Sequence, residues 1–178
     1  MARCCIFCGA HAGTNAQYRQ LAAEVAHALQ ARGLGLVYGG GRVGLMGSLA
    51  DAMLDVGGEV IGVIPRTMAQ TEVAHNGISE LRVVESMHER KALMAELSDG
   101  FIALPGGYGT MDEFHEILTW RQLRIHDKPI GLLNSDGYYD QLLALYARMR
   151  DESFIPRGGP ELFVHAPDID ALLATMNV

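Results

Sequence analysis

The sequence predicts one α/β domain over residues 1–178, built as a doubly wound, mostly parallel sheet with helices on both faces. Short apolar runs alternate along the chain with longer segments of helical periodicity, a rhythm typical of strands joined by right-handed crossover helices. The apolar residues within the short runs are nearly continuous, as expected of strands covered on both faces. No repeat, charge block or linker divides the chain, so a single domain is expected.

The predicted strands are apolar runs bounded by glycine, proline or polar residues. They are Arg3–Cys8, Leu34–Tyr38, Glu59–Ile64, Leu81–Val84, Phe101–Leu104, Pro129–Leu133 and Leu162–His165. The predicted helices lie between them and carry apolar residues at spacings of three and four, as Leu21, Val25 and Leu29 do in the first. They are Asn15–Arg32, Gly44–Val56, Ser86–Leu97, Thr110–Arg124, Tyr138–Arg150 and Pro167–Met176.

Composition and charge exclude several classes of partner. Hydrophobic residues make up 49% and charged residues 20% of the 178 residues, which indicates a packed globule. The net charge is −7, whereas nucleic-acid binders are usually basic, so no nucleic-acid partner is expected. No apolar run reaches the roughly 18 residues that span a bilayer, so no membrane partner is expected either.

The cysteines and histidines favour a cytoplasmic protein without a metal or other cofactor. Cys5 and Cys8 have C-x-x-C spacing, but on a strand their side chains point to opposite faces. Together with Cys4 they are predicted to be reduced and buried, as in a cytosolic protein. The seven histidines show no metal-ligand spacing.

The segment Gly39-Gly-Gly-Arg-Val-Gly44 has the G-x-G-x-x-G spacing of dinucleotide-binding loops and lies between a predicted strand and a predicted helix. The next strand ends in Ile-Pro-Arg66, without the acid that would bind a ribose hydroxyl, and no Gly-Lys-Ser/Thr of a P-loop follows. Two interpretations stay open. The segment is a tight turn with close strand–helix packing, or the backbone of Gly39, Gly40 and Gly41 contacts a phosphate or ribose.

The segment Pro105-Gly-Gly-Tyr-Gly-Thr110 is more informative. Its three glycines allow close approach to a ligand, and the helix that follows offers free N–H groups to a phosphate. Thr110-Met-Asp-Glu113 also fits a capping box, which would place Glu113 at the third helical position and favour its ionised form. Glu113 is therefore a cap, or the anion that a developing oxocarbenium ion needs, or both.

Arg90 and Lys91 are adjacent cations in an early turn of a predicted helix, where the helix dipole disfavours them. One interpretation is a solvated helix face, or an ion pair of Arg90 with Glu89 or Glu85. The other is recognition of an anion or ribose by Arg90, because a planar guanidinium suits phosphate and carboxylate geometry.

Three motifs follow one another along the chain: Tyr38-Gly-Gly-Gly-Arg-Val-Gly-Leu-Met-Gly47, Met87-His-Glu-Arg-Lys91 and Pro105-Gly-Gly-Tyr-Gly-Thr-Met-Asp-Glu113. In this order they resemble the Lonely Guy family of cytokinin riboside 5′-monophosphate phosphoribohydrolases, some of which were once labelled lysine decarboxylases. The resemblance extends from Cys8 to about Asp140. It implies a Rossmann-like homodimer that hydrolyses nucleoside 5′-monophosphates to a free base and ribose 5-phosphate.

The resemblance also assigns roles to single residues. Arg90 and Glu113 match the pair considered catalytic in the family, and Asp112 stands where many members carry glutamate. Positions that match substrate contacts, or are added as candidates, are Glu72, Lys91, Gly106, Gly107, Tyr108, Gly109, Thr110, Met111, Asp112 and Thr119.

Three other functions compete with this prediction. The glycine spacing suggests a nicotinamide-dependent oxidoreductase, but 178 residues leave little room for a separate catalytic domain. A non-catalytic nucleotide or cofactor carrier is disfavoured by the presence of both Arg90 and Glu113. A pyridoxal-phosphate decarboxylase needs a Schiff-base lysine, and the chain offers only Lys91 and Lys128. The resemblance therefore implies hydrolysis of adenosine 5′-monophosphates, plain or N6-modified, at the N-glycosidic bond.

Overall fold

Seven parallel strands form one sheet in the computed structural model, which describes residues 1–71, 74–155 and 161–178. The strands are β1 (Arg3–Phe7), β2 (Gly35–Tyr38), β3 (Val60–Pro65), β4 (Glu80–Val84), β5 (Gly100–Ala103), β6 (Ile130–Leu133) and β7 (Val164–Ala166). Their spatial order is β4-β3-β2-β1-β5-β6-β7, and each neighbouring pair is parallel. The parallel α/β class that the sequence predicts is confirmed.

Helices connect these strands. They are α1 (Gln17–Ala31), α2 (Gly44–Asp55), α3 (Arg66–Thr71), α4 (Met87–Glu96), α5 (Tyr108–Gln122), α6 (Asp140–Asp151) and α7 (Ile169–Met176). Helix α3 is not predicted from the sequence, because a six-residue helix is too short to show an apolar period. The late strand was placed two residues too early, at Leu162 instead of Val164.

The sheet separates two apolar layers, which makes the fold doubly wound. Residues of α1, α2 and α7 form the core on one face, and residues of α4, α5 and α6 form the core on the other. In β1 the side chains alternate between these layers, with Cys4 and Ile6 in the first and Cys5 and Phe7 in the second. Alternation along a strand therefore decides which helices each residue supports.

The two edge strands depart from the expectation that both faces of every strand are covered. In β4 only partial burial is found, and Val83 is 46% exposed. The inner strands β1, β2, β3, β5 and β6 are buried almost throughout. Each edge strand has only one strand neighbour, so a continuous apolar run does not guarantee burial there.

The cysteines lie in the centre of this core, as predicted. Cys4, Cys5 and Cys8 are buried and form no disulfide. Burial raises the pKa of the Cys4 thiol to about 12, so this thiol stays protonated at neutral pH. In the described ranges, no helix has both the length and the apolar character to cross a bilayer.

Strands β2 to β4 are added on one side of β1, and strands β5 to β7 are added on the other. Strand β1 therefore pairs with β2 on one side and with β5 on the other. The connections that leave the C-terminal ends of β1 and β5 therefore diverge to opposite faces and leave a crevice between them. In open parallel sheets such a switch point is the usual place for a ligand.

Candidate active site

A cavity of about 740 Å³ occupies this crevice. It is lined by residues 8–14 after β1 and by residues 105–110 after β5, together with side chains of the helices that follow β2, β3 and β4. Its volume lies within the roughly 300–1,000 Å³ of small-molecule sites. The glycine-bearing loops at the C-terminal ends of β1 and β5 therefore meet in one site.

The buried side chains of Arg90 and Glu113 pair at the wall of the cavity. Nη1 of Arg90 donates to Oε1 of Glu113 at 3.0 Å, and the two side chains are only 8% and 9% exposed. The guanidinium also donates from Nε to the carbonyl oxygen of Val63 at 3.0 Å and from Nη2 to that of Gly39 at 3.3 Å. The carbonyl groups of Val63 in β3 and of Gly39 after β2 thus orient the guanidinium of Arg90 toward Glu113.

The start of α4 explains why neither nearby acid neutralises Arg90. Oγ of Ser86 accepts a hydrogen bond from the amide of Glu89 at 3.1 Å, and Oε2 of Glu89 accepts one from the amide of Glu85 at 2.9 Å. The carboxylate of Glu85 pairs with Arg66 at 2.6 Å. Both acids are therefore engaged outside the cavity, and the alternative of an Arg90 pair with Glu85 or Glu89 is wrong.

The capping box predicted at Thr110 is also wrong. Helix α5 begins two residues earlier, at Tyr108, with Gly107 as its N-cap and without a side-chain cap. Glycine is tolerated as an N-cap residue although it has no side chain to bind the first amides. The helix can therefore start inside the glycine segment. Glu113 is consequently one turn further into the helix than expected, and its carboxylate reaches Arg90 instead of a backbone amide.

Burial raises the pKa of the Glu113 carboxyl above its usual range, and the charge of Arg90 opposes this shift. A capping box at Thr110 would have favoured the ionised form instead, because it places the carboxylate in the field of the helix N-terminus. Shifts of pKa caused by burial and by a specific charge partner are common at catalytic sites.

The N-terminus of α5 offers a place for an anion. Gly107, Tyr108 and Gly109 are exposed, and a Cβ added at Gly107 or Gly109 would contact nothing within 4 Å. The hydroxyl of Thr110 is buried at the cavity without a hydrogen-bond partner among the described residues. An uncapped helix N-terminus and an orphan hydroxyl together favour a phosphate at this end of the cavity.

Two tyrosines that the sequence analysis gave no role hold this loop in place. The hydroxyl of Tyr138 donates to the carbonyl oxygen of Gly106 at 2.7 Å, and the hydroxyl of Tyr139 donates to that of Leu104 at 2.6 Å. Tyr138 also contacts Tyr18 edge to face, with ring centroids 6.1 Å apart. The two adjacent tyrosines are visible in the sequence directly after the turn that follows β6. Only the tertiary structure shows which groups their hydroxyls bind.

Several other candidate substrate residues lie on a second, shallow groove along the outer side of α5. It is lined by Tyr108, Met111, Asp112, His115, Glu116, Thr119 and Trp120. Nζ of Lys91 lies 3.1 Å from carboxylate oxygens of both Asp112 and Glu116. Tyr108, which is 98% exposed, borders both this groove and the cavity. For Lys91, Met111, Asp112 and Thr119, contact with a substrate stays a prediction.

The first glycine segment has a packing role in the structure. Gly39, Gly40 and Gly41 are buried, and a Cβ on Gly39 would collide with Nη2 of Arg90. Gly44 has φ +67°, and a Cβ there would collide with the carbonyl group of Ala10. These close approaches support the interpretation as a tight strand–helix turn, and a backbone contact with phosphate stays a prediction.

The remaining candidate, Glu72, lies outside the described residues. In the part of the chain that the structure describes, no group of three or more histidine, cysteine or acidic residues could hold a metal ion. The described groups around the cavity that could bind a ligand include the Arg90–Glu113 pair, the start of α5 and the apolar side chains around them.

The fold and the cavity define this chain as a Rossmann-like α/β protein with a ligand site at the switch point of its sheet. A family model described as "Possible lysine decarboxylase" matches residues 46–176. A rice protein, "Probable cytokinin riboside 5′-monophosphate phosphoribohydrolase" of Oryza sativa subsp. japonica, is 52% identical over 98% of this chain and 78% of its own length. A cytokinin riboside 5′-monophosphate phosphoribohydrolase of Arabidopsis thaliana is 47% identical over 98% of this chain and 81% of its own. The chain belongs to this family.

Solved structures share the fold at low sequence identity. The molybdenum cofactor binding protein of Rippkaea orientalis superposes with a TM-score of 0.74 at 18% identity, covering 99% of this chain and 96% of that one. The molybdenum cofactor carrier protein of Chlamydomonas reinhardtii gives a TM-score of 0.73 at 19% identity, covering 99% and 97%. At such identities the likeness establishes the fold alone.

Proposed function

We propose that this chain hydrolyses the N-glycosidic bond of adenosine 5′-monophosphates, with or without an N6 substituent, and releases the free base and ribose 5-phosphate. Relatives named for this activity on cytokinin riboside 5′-monophosphates are about half identical to the chain over nearly its whole length. The observation that carries the proposal is the buried pair of Arg90 and Glu113 beside the uncapped start of α5.

The start of α5 binds the 5′-phosphate in this proposal. Its free amides and the hydroxyl of Thr110 donate to the phosphate oxygens, and the positive end of the helix dipole favours the charge. The protein has a net charge of −7, so local donors of this kind have to outweigh the overall field.

Glu113 acts on the sugar. As the bond between C1′ and the base nitrogen breaks, positive charge grows on C1′ and the ring oxygen, and the Glu113 carboxylate stabilises it. Glu113 also accepts a proton from the attacking water, whose oxygen bonds to C1′, while the departing base keeps the electron pair and takes up a proton. The hydroxyl group of the water thereby ends on C1′ of the sugar, and a proton ends on the base.

Arg90 keeps Glu113 in position and charged. Its hydrogen bonds to the Val63 and Gly39 carbonyl oxygens leave the Nη1 donor directed at Glu113. Because burial disfavours the carboxylate form, a fixed guanidinium is needed to keep that form available.

Base release tests the proposal. Purified protein is incubated with AMP and, separately, with isopentenyladenosine monophosphate, and the products are resolved by chromatography with mass detection. Free base and ribose 5-phosphate are expected from the native protein. Glu113→Gln is expected to bind nucleotide and lose about 10²–10³-fold in turnover. Binding without base release by the native protein would identify a carrier, and native rates in Glu113→Gln would remove Glu113 from the mechanism.

We also propose that the chain functions as a homodimer that covers the groove on α5. This face exposes Tyr108 almost completely and carries Met111 and Trp120, and Oε2 of Glu116 is buried there without a hydrogen-bond partner among the described residues. A second copy on this face would lie next to the cavity, because Tyr108 borders both. Size-exclusion chromatography with light scattering should give twice the mass of one chain for the native protein. The Trp120→Glu variant should give the mass of one chain.

A further inference from the structure

The peptide between Gly106 and Gly107 lies where two groups already favour an anion. Gly107 is the N-cap of α5 and lines the cavity, and its N–H donates no hydrogen bond among the described residues. A Cβ added at Gly106 would collide with Oγ1 of Thr110, so the unpartnered hydroxyl of Thr110 lies directly beside this peptide. The orientation of the peptide therefore decides which of its polar groups faces a bound phosphate.

Glycine on both sides leaves this peptide two orientations. A flip of the peptide would rotate φ of Gly107 by half a turn, from −100° into the positive region, which glycine accepts and residues with a Cβ disfavour. The C=O and N–H of a trans peptide point in opposite directions, so the flip would exchange the N–H of Gly107 for the carbonyl oxygen of Gly106. One orientation offers a donor to an anion, and the other offers an oxygen that repels it.

The hydroxyl of Tyr138 selects between these orientations. It donates to the carbonyl oxygen of Gly106 at 2.7 Å, which directs the N–H of Gly107 away from the tyrosine. A hydroxyl has a single hydrogen to donate, so Tyr138 acts on the peptide and not as a donor to the ligand. Its ring is held by edge-to-face contacts with Tyr18 and Tyr139, at centroid distances of 6.1 and 4.8 Å. The donor is therefore oriented before a ligand arrives.

We propose that Tyr138 is a positioning residue of the anion site, whose hydroxyl keeps the Gly106–Gly107 peptide in the orientation that turns the N–H of Gly107 toward the phosphate. This role rests on the phosphate site of the proposed function and adds a residue that prepares that site without contacting the ligand. Without the hydrogen bond the flipped peptide becomes populated, and the apparent affinity for a phosphate falls with the fraction that stays competent. The contribution of one hydrogen bond limits this loss to about tenfold.

Tyr139 provides a matched comparison. Its hydroxyl donates to the carbonyl oxygen of Leu104 at 2.6 Å, in the same segment of the chain. The nitrogen of that peptide belongs to Pro105, which has no N–H, so the orientation of this peptide presents no donor to a ligand. Loss of the Tyr139 hydroxyl leaves a buried carbonyl group unsatisfied and is expected to lower stability instead of phosphate affinity.

Calorimetric dissociation constants for ribose 5-phosphate test the proposal, because this ligand carries the phosphate and is not consumed by the proposed reaction. Tyr138→Phe is expected to weaken its binding about three- to tenfold. Tyr139→Phe is expected to lower the melting temperature and to change the dissociation constant by less than about twofold. Equal weakening by both variants would indicate a general loosening of the loop and would overturn the proposal, as would native affinity in Tyr138→Phe.

A double variant shows whether the hydroxyl acts through the peptide. Gly107→Ala disfavours the flipped orientation, and its Cβ meets no atom within 4 Å. In this background Tyr138→Phe is expected to change the dissociation constant by less than about twofold. The full loss in both backgrounds would mean that the hydroxyl binds the phosphate directly, and would overturn the proposal. If Gly107→Ala itself excludes the ligand, the comparison of Tyr138→Phe with Tyr139→Phe decides alone.

Base release from AMP is measured in parallel, so that the two proposals fail separately. No release by the native protein contradicts the hydrolase and leaves the binding comparison valid. No binding of ribose 5-phosphate by the native protein removes the anion site, and the role of Tyr138 with it.

Discussion

Arg90 and Glu113 are 23 residues apart in the chain and lie on two different helices, yet Nη1 of Arg90 donates a 3.0 Å hydrogen bond to Oε1 of Glu113 in the interior. The strand β5 and the glycine segment after it separate the two helices. The carbonyl oxygens of Val63 and Gly39 also accept hydrogen bonds from the guanidinium, so three hydrogen bonds fix the position of Arg90.

Replacement of Arg90 by lysine should lower kcat about 100-fold and change KM less. A lysine ammonium is a compact charge and cannot donate in the planar fork that serves Val63, Gly39 and Glu113 together. Steady-state kinetics with AMP measures the split between kcat and KM. The matched control is Arg66→Lys, which alters an exposed pair with Glu85 and should leave the rate within twofold. A rate near native in Arg90→Lys would mean that charge alone suffices at this position.

The rate should depend on pH with an acidic limb above pH 4.5, the ordinary pKa of a glutamic acid. Burial raises the pKa of Glu113, and the ionised carboxylate is the active form, so activity is lost as the pH falls through that raised value. A profile of log kcat/KM against pH gives the limb. Arg90→Ala should move the limb to still higher pH, because the opposing charge is removed. A limb at or below pH 4.5 in the native enzyme would contradict this assignment.

Replacement of Thr110 by valine should raise KM about tenfold while stabilising the fold by about 1 kcal/mol. The Thr110 hydroxyl is buried without a partner among the described residues, so its removal relieves an unsatisfied polar group and also removes a donor to the phosphate. Urea unfolding measures the stability, and kinetics measures KM. Thr175→Val is the control, since its hydroxyl donates within α7, far from the cavity. Unchanged KM in Thr110→Val would remove the hydroxyl from phosphate binding.

Replacement of Gly39 by alanine should destabilise the protein by about 1–3 kcal/mol and reduce kcat strongly. The added Cβ would collide with Nη2 of Arg90 and approach Sδ of Met46, so the guanidinium has to leave its position. Gly77→Ala is the control, because a Cβ there meets the His75 ring at an ordinary 3.4 Å. Thermal unfolding and base release are measured on both variants. Native stability and activity in Gly39→Ala would show that Arg90 has room to move.

The sequence motifs point to Arg90 and Glu113 but do not predict all of their contacts. They also place both glycine segments between a strand and a helix, as the structure has them. A capping box was one of the interpretations of Glu113, because T-x-x-E at a predicted helix start is a strong local signal. A start two residues earlier, which an uncapped glycine permits, changes what Glu113 contacts.

The roles of Tyr138 and Tyr139 show the opposite case. Their hydroxyls bind carbonyl oxygens of Gly106 and Leu104, which lie 32 and 35 residues away in the chain. Neither an apolar period nor a short motif predicts a contact between residues so far apart in the chain. Met46, Met68 and Met87 likewise line one cavity although they come from three separate helices.

Local apolar patterns and short motifs in the sequence predict the order of the strands, the helices α1, α2 and α4 to α7, the burial of the cysteines and the family. Which strands lie at the edges of the sheet and which acid pairs with Arg90 follow only from the tertiary structure. Both outcomes depend on contacts between segments that are distant in the chain, such as Arg90 and Glu113, which are 23 residues apart. The sheet order brings such segments together at the switch point beside β1 and β5, and no local propensity fixes that order.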